Sequence, residues 1–138
     1  MISHHGALVH TVILAAAADS ELAGSELDTI GDMMLGLPVF SDYPRESFAG
    51  SAAACMELLS EPDGLDVAID LISGSLPPEL RATAYALACD VIAVDGVATQ
   101  EELRFLEMLR HALDVDRLTA AAIERGSAAR YARYQAPE

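Results

Sequence analysis

The sequence predicts an all-α protein, a compact bundle of about seven helices containing an internal helix-turn-helix repeat. Three observations lead there. The 138 residues are 52% hydrophobic, yet only 5% aromatic and free of tryptophan, a composition that suits helices better than sheets, which draw on β-branched and aromatic side chains. Apolar residues recur at spacings of three and four through most of the chain, the signature of one face of a helix. Short clusters of Gly, Pro, Asp and Ser interrupt these runs about once per helix length. A single domain over residues 1–138 is long enough to bury roughly two-thirds of its unfolded surface.

The first helix is expected over residues 5–18, with Leu8, Val9, Val12, Ile13 and Ala16 on one face. His4 and His5 are neighbours and point about 100° apart on a helix, which suits surface or capping roles, as for His10, better than shared ligation. A second helix over 24–35 turns Leu27, Ile30, Met33, Met34 and Leu37 toward a core. After the break at Gly36, Pro38 and residues 41–44, a third extends to about Leu59 and buries Phe48, Ala52, Cys55, Met56 and Leu59. Residues 60–64 repeat the stop-start chemistry. The fourth helix, to about Ser73, points Leu65, Ala68, Ile69 and Ile72 inward and Asp63, Asp66 and Asp70 to solvent. The fifth, from about Pro78 to Val94, is apolar on most sides and reads as the most buried of all. Thr99 and Glu102 fit the capping box of a sixth helix that ends near Leu113. Asp114 and Asp116 lead into the seventh, which reaches Ala129 or beyond. The arginine- and tyrosine-bearing end, about 126–138, is open to folding back on the acidic body, fraying or gripping a partner, with fraying of the final few residues the first expectation.

The net charge of −14 comes from 22 acids against eight arginines, with no lysine. It is unevenly spread: residues 1–103 carry −15, and residues 104–138 carry +1. Such a body repels nucleic-acid phosphates and anionic lipid heads and suits cations or a basic protein surface. No apolar run approaches the roughly 18 residues of a membrane span, and the opening lacks the basic region of a signal peptide, so a cytoplasmic protein without direct membrane insertion is expected. Cys55 and Cys89 show no CxxC spacing and sit among apolar residues, where small buried free thiols are expected. No P-loop, dinucleotide fingerprint or recognisable nucleophile–base spacing points to an enzyme.

The feature expected to carry function is a repeated turn. A shift of 76 positions superposes Asp19 on Asp95, Glu26 on Glu102, Leu27 on Leu103 and Ile30 on Leu106. Each copy ends an apolar helix on an Asp and places a Glu seven residues later. Asp95, Gly96, Val97, Ala98 and Glu102 match the second half of an EF-hand loop, from its fifth position to the bidentate Glu at its twelfth. Val91 and Ala93 fall where the first two acids would be, so a complete EF-hand is excluded. Two half-sites that met would place Asp19, Glu26, Asp95 and Glu102 around one hard cation, Ca²⁺ or Mg²⁺, since a carboxylate set disfavours zinc or copper. The competing reading is structural. Glu102 at the third helical position reaches back to Thr99 in a capping box, whereas Ala23, in the equivalent place of the first copy, offers no side-chain cap to Glu26.

At these residues the chain resembles the tellurite-resistance TerB family. The likeness is carried by residues 4–9 beginning His4 and His5, Asp19 with Glu26, residues 37–40, residues 62–65, and residues 80–90 leading into Val94, Asp95 and Gly96 and then Glu101, Glu102 and Leu103. It extends to about Arg125, with Ser20 standing where the second copy has glycine. The resemblance implies a bundle of about seven helices related to the N-terminal domain of the DjlA co-chaperones. It further implies a role in tellurite and stress resistance, divalent-metal binding at Asp19, Glu26, Asp95 and Glu102, and work beside a TerC-like membrane protein or TerD-like proteins at the inner face of the membrane. The alternative is a co-chaperone-like interaction domain with no metal function.

Overall fold

The computed structural model describes residues 1–18, 24–94 and 96–137, which form seven α-helices and no strand among the described residues. They are α1 (His4–Ala17), α2 (Gly24–Met34), α3 (Ser47–Leu59), α4 (Gly64–Ser75), α5 (Arg81–Ala93), α6 (Gln100–Ala112) and α7 (Arg117–Arg130), with 3₁₀ turns at Pro38–Phe40 and Pro78–Leu80. The all-α expectation holds. Proline sets both 3₁₀ turns, and the second absorbs the first residues expected of the fifth helix.

The bundle is built around α1 rather than α5. α1 packs against α3, α4 and α5, and every residue from His5 to Ala15 is buried. A helix touched on three sides has no solvent face, and the alanines that weaken its pattern in the sequence are what let neighbours approach. α5 carries α6 and α7 on its other sides and buries Ala84, Tyr85, Leu87, Ala88, Cys89, Val91 and Ile92. α3 and α4 form a second layer against α1.

Two polar side chains on α1 are consequently interior, contrary to the surface roles expected of them. His10 donates from Nδ1 to the Gly6 carbonyl at 2.9 Å, and burial holds its pKa below the usual imidazole value. His5 donates from Nε2 to the Val39 carbonyl at 3.0 Å, lies 3.1 Å from Asp42 Oδ1, and stacks on Phe40. The two histidines thereby fasten α1 to itself and to the 38–42 turn.

Elsewhere the expected faces are mostly recovered, with two exceptions at helix ends. Leu37 and Leu65 are exposed, while Ile30, Met34, Ala68, Ile69 and Ile72 lie in the core as their spacing requires. Asp63, Asp66 and Asp70 face solvent. Close approaches are made at glycines: a Cβ on Gly31 would meet Phe48 Cε2 at 3.2 Å, and one on Gly64 would lie 2.2 Å from the Leu58 carbonyl oxygen. Arg81 is a half-buried cation held between two helix ends, donating to Leu113 O at 3.2 Å and Ser73 O at 3.4 Å. Its charge there complements the negative ends of α4 and α6.

Both cysteines are free and buried. Burial pushes each thiol up to about 12, with the nearby Glu124 carboxylate adding to the effect at Cys89. Since the thiolate is the reacting species, a disulfide-exchange reagent at neutral pH should label both on the order of a hundredfold more slowly than in urea. Rapid labelling of both in the folded protein would restore thiol redox chemistry as an option.

Candidate functional site

Glu26 and Glu102 stand in the first turns of α2 and α6. α2 and α6 lie in register under the 76-residue shift, which carries α1 onto 80–93 and α2 onto 100–110, where α5 and α6 run. Thr99 is the N-cap of α6. Its hydroxyl accepts from the Glu102 N–H at 3.1 Å, and Glu102 Oε1 accepts from the Thr99 N–H at 2.8 Å. The capping box read from the sequence is therefore formed, and it uses one carboxylate oxygen of Glu102.

Glu102 is nonetheless not a surface cap. It is 4% exposed and lines a cavity of about 210 Å³ together with Ala16, Ser25, Glu26, Thr29, Ile30, Val91 and Val94. Glu26, on the exposed side of α2, lines the same cavity. Two carboxylates separated by 76 residues in the chain are thus brought to one space between the ends of α1 and α5 and the starts of α2 and α6. At about 30 Å³ per water, the space has room for a cation with several waters. Its remaining walls are largely aliphatic.

Asp19 and Asp95, the other two expected ligands, lie outside the described residues. Among the described residues no group of three or more His, Cys, Asp or Glu is gathered as a metal centre. Glu26 and Glu102 line this space with no His or Cys beside them. Family models, curated proteins and solved structures give no match to this chain.

A second concavity went unrecognised in the sequence. α6 and α7 stand apart over α5, leaving a groove of about 720 Å³ whose floor includes Tyr85, Cys89, Ile92 and Ala93 and whose walls include Leu103, Leu106, Glu107 and Arg110 on α6 and Glu124 and Ala128 on α7. Tyr85 donates to Glu124 Oε2 at 2.6 Å; burial, followed by this bond, raises the phenol pKa. No spacing rule foretells a groove, because it depends on how far two helices splay. The only local sign was that α7 carries few large apolar residues with which to reach α6.

Residues 127–133 make specific contacts with the body of the fold. Asp90 Oδ1 accepts from the Ser127 hydroxyl and from Arg130 Nη2, the latter at 2.6 Å. Tyr131 O–H donates to Met33 Sδ at 3.6 Å, and Arg133 Nη2 donates to the Val94 carbonyl at 2.9 Å. Asp90, a polar residue on an otherwise covered helix, finds its partners here. Among the described residues, no helix is long and apolar enough to cross a membrane.

Proposed function

We propose that this chain is a non-enzymatic, acidic helical module that binds a divalent cation, Ca²⁺ or Mg²⁺, and docks a protein partner. The observation that carries the reading is that Glu26 and Glu102 line one cavity. On a chain with a net charge of −14 and oxygen donors at the site, a hard cation is the best-matched ligand. Asp19 and Asp95 belong to the proposed set through their places in the repeated turn. The resemblance to TerB proteins supports a tellurite- or stress-resistance setting in the cytoplasm, with a TerC-like membrane protein or a TerD-like protein as the partner.

Calcium titration of metal-stripped protein tests the cation reading. Binding heat is expected, with a rise in Tm of about 5–10 °C at a hundredfold excess over Kd, and Mg²⁺ should compete. No heat and an unmoved Tm with either ion would sink it.

The groove between α6 and α7 favours a second reading, a co-chaperone-like interaction domain without metal. Its apolar floor and polar rim are the features of a helix-binding groove. In that case Glu26→Gln would leave partner binding unchanged, and a charged substitution at Leu103, which is half exposed on the wall, would abolish it.

A further inference from the structure

The groove over α5 is open along its side. Tyr85 and Cys89 on its floor are buried, while Leu103 and Glu107 on the α6 wall and Glu124 and Ala128 on the α7 wall are exposed. A small ligand is held where most of its surface is covered, whereas a channel with an exposed mouth admits a rod laid lengthwise. The floor from Tyr85 to Ala93 is about 12 Å long at 1.5 Å per residue. Apolar anchors at the first, fourth and eighth positions of a guest helix cover about 10 Å. Small side chains at Ala98, Ala128 and Ala132 leave room for such a guest, and Leu103, 49% exposed, offers it an apolar contact.

Charge gives the groove a direction. The 2.6 Å bond from Tyr85 fixes the Glu124 carboxylate beside the first half of α5. Glu107 lies toward the C-terminal half of α6, on the opposite wall. Among the described residues neither glutamate forms an ion pair. Arg110, on the α6 wall, donates instead to the Val115 carbonyl at 3.2 Å. Near the α5 C-terminus the groove is bounded by Arg133, which donates to the Val94 carbonyl. A helix is positive at its N-terminus and negative at its C-terminus, so the two carboxylates match the start of a guest and Arg133 matches its end. A second copy of this chain would bring another −14 charges to the same face, whereas a cationic segment is drawn to it.

We propose that the groove binds an amphipathic partner helix of about two to three turns with Lys or Arg in its first turn, its N-terminus between Glu107 and Glu124 and its C-terminus at Arg133. The guest then runs antiparallel to α6. This inference rests on the interaction-domain reading of the groove and adds the chemistry and polarity of the partner.

The test uses the full chain and two synthetic helical peptides that share one leucine stripe and are otherwise neutral. One carries two lysines in its first turn, the other two in its last. Wild type should bind the first about five- to tenfold more tightly by calorimetry at low salt, although lysines near the C-terminus favour the isolated helix of the second. Glu107→Gln should weaken the first by about two- to fivefold and leave the second unchanged. A nitroxide on the N-terminus of the first peptide should broaden the amide signals of Glu107 and Glu124 more than those of Gly96 and Ala98. Leu103→Asp, an exposed position that keeps the fold by circular dichroism, should abolish binding of both peptides. Equal affinity for the two peptides with no effect of Glu107→Gln, while Leu103→Asp still abolishes binding, would overturn the cationic partner alone. Failure of either peptide to bind, or binding that survives Leu103→Asp, would overturn the groove reading with it. A dimer in ultracentrifugation that Leu103→Asp dissolves would overturn the proposal in favour of a second copy.

Discussion

Glu102→Gln should lower Ca²⁺ affinity by at least about tenfold while costing less than about 1 kcal/mol of stability, because glutamine keeps the capping box and removes only the charge. The Thr99 N–H that bonds Glu102 Oε1 at 2.8 Å can bond a glutamine oxygen equally well. Glu102→Ala should lose affinity to a similar degree and in addition cost about 1–3 kcal/mol, since it strips the cap and leaves the Thr99 N–H without its partner. Glu26→Gln should match the affinity loss with no measurable change in stability, as its side chain is on the exposed side of α2. Calorimetry and urea melts on the three variants separate the roles. Full affinity in Glu102→Gln would reduce Glu102 to a cap and remove the site.

The second large effect is expected at Gly64, where α3 hands over to α4. An alanine methyl there would lie 2.2 Å from the Leu58 carbonyl oxygen and 2.8 Å from Leu59 Cα. Both atoms belong to the backbone of the preceding helix, so no side chain can swing away. The α3–α4 corner must open, and with it the packing of both helices on α1. A loss of about 3–5 kcal/mol is expected for Gly64→Ala, a large part of the roughly 5–15 kcal/mol that keeps a domain folded. Gly50→Ala is the control, because nothing lies within 4 Å of a Cβ at that position in α3. It should stabilise by about 0.5–1 kcal/mol through helix propensity alone. Urea denaturation of both variants decides the matter: a Gly64→Ala within about 1 kcal/mol of wild type would mean that the corner is more pliable than its geometry implies.

These two sites differ in what prepared them. The capping box at Thr99 and Glu102 is a local motif, complete within four residues, and could be read before any fold was known. Gly64 looked like one more turn residue between α3 and α4. That it sits under a carbonyl follows from the crossing of the two helices, and nothing in its neighbours along the chain announces it. The histidines on α1 illustrate the same limit. Their spacing argued against shared ligation, yet it could not show that α3, α4 and α5 enclose α1 so completely that His5 and His10 must find partners inside.

The sequence by itself determined the helices, most of their inward faces, the free buried cysteines and the capping box, because helix periodicity and caps are properties of neighbours within a few residues. A shift of 76 positions also aligned Glu26 with Glu102. Only the tertiary structure decided that the two glutamates line one cavity, that α1 rather than α5 is enclosed, that α6 and α7 leave a groove, and that Arg133 reaches back to Val94. Those outcomes depend on distances between helices and on side-chain reach across them. Such quantities arise when apolar faces of unequal bulk are packed together, and periodicity along one strand of chain carries no record of them.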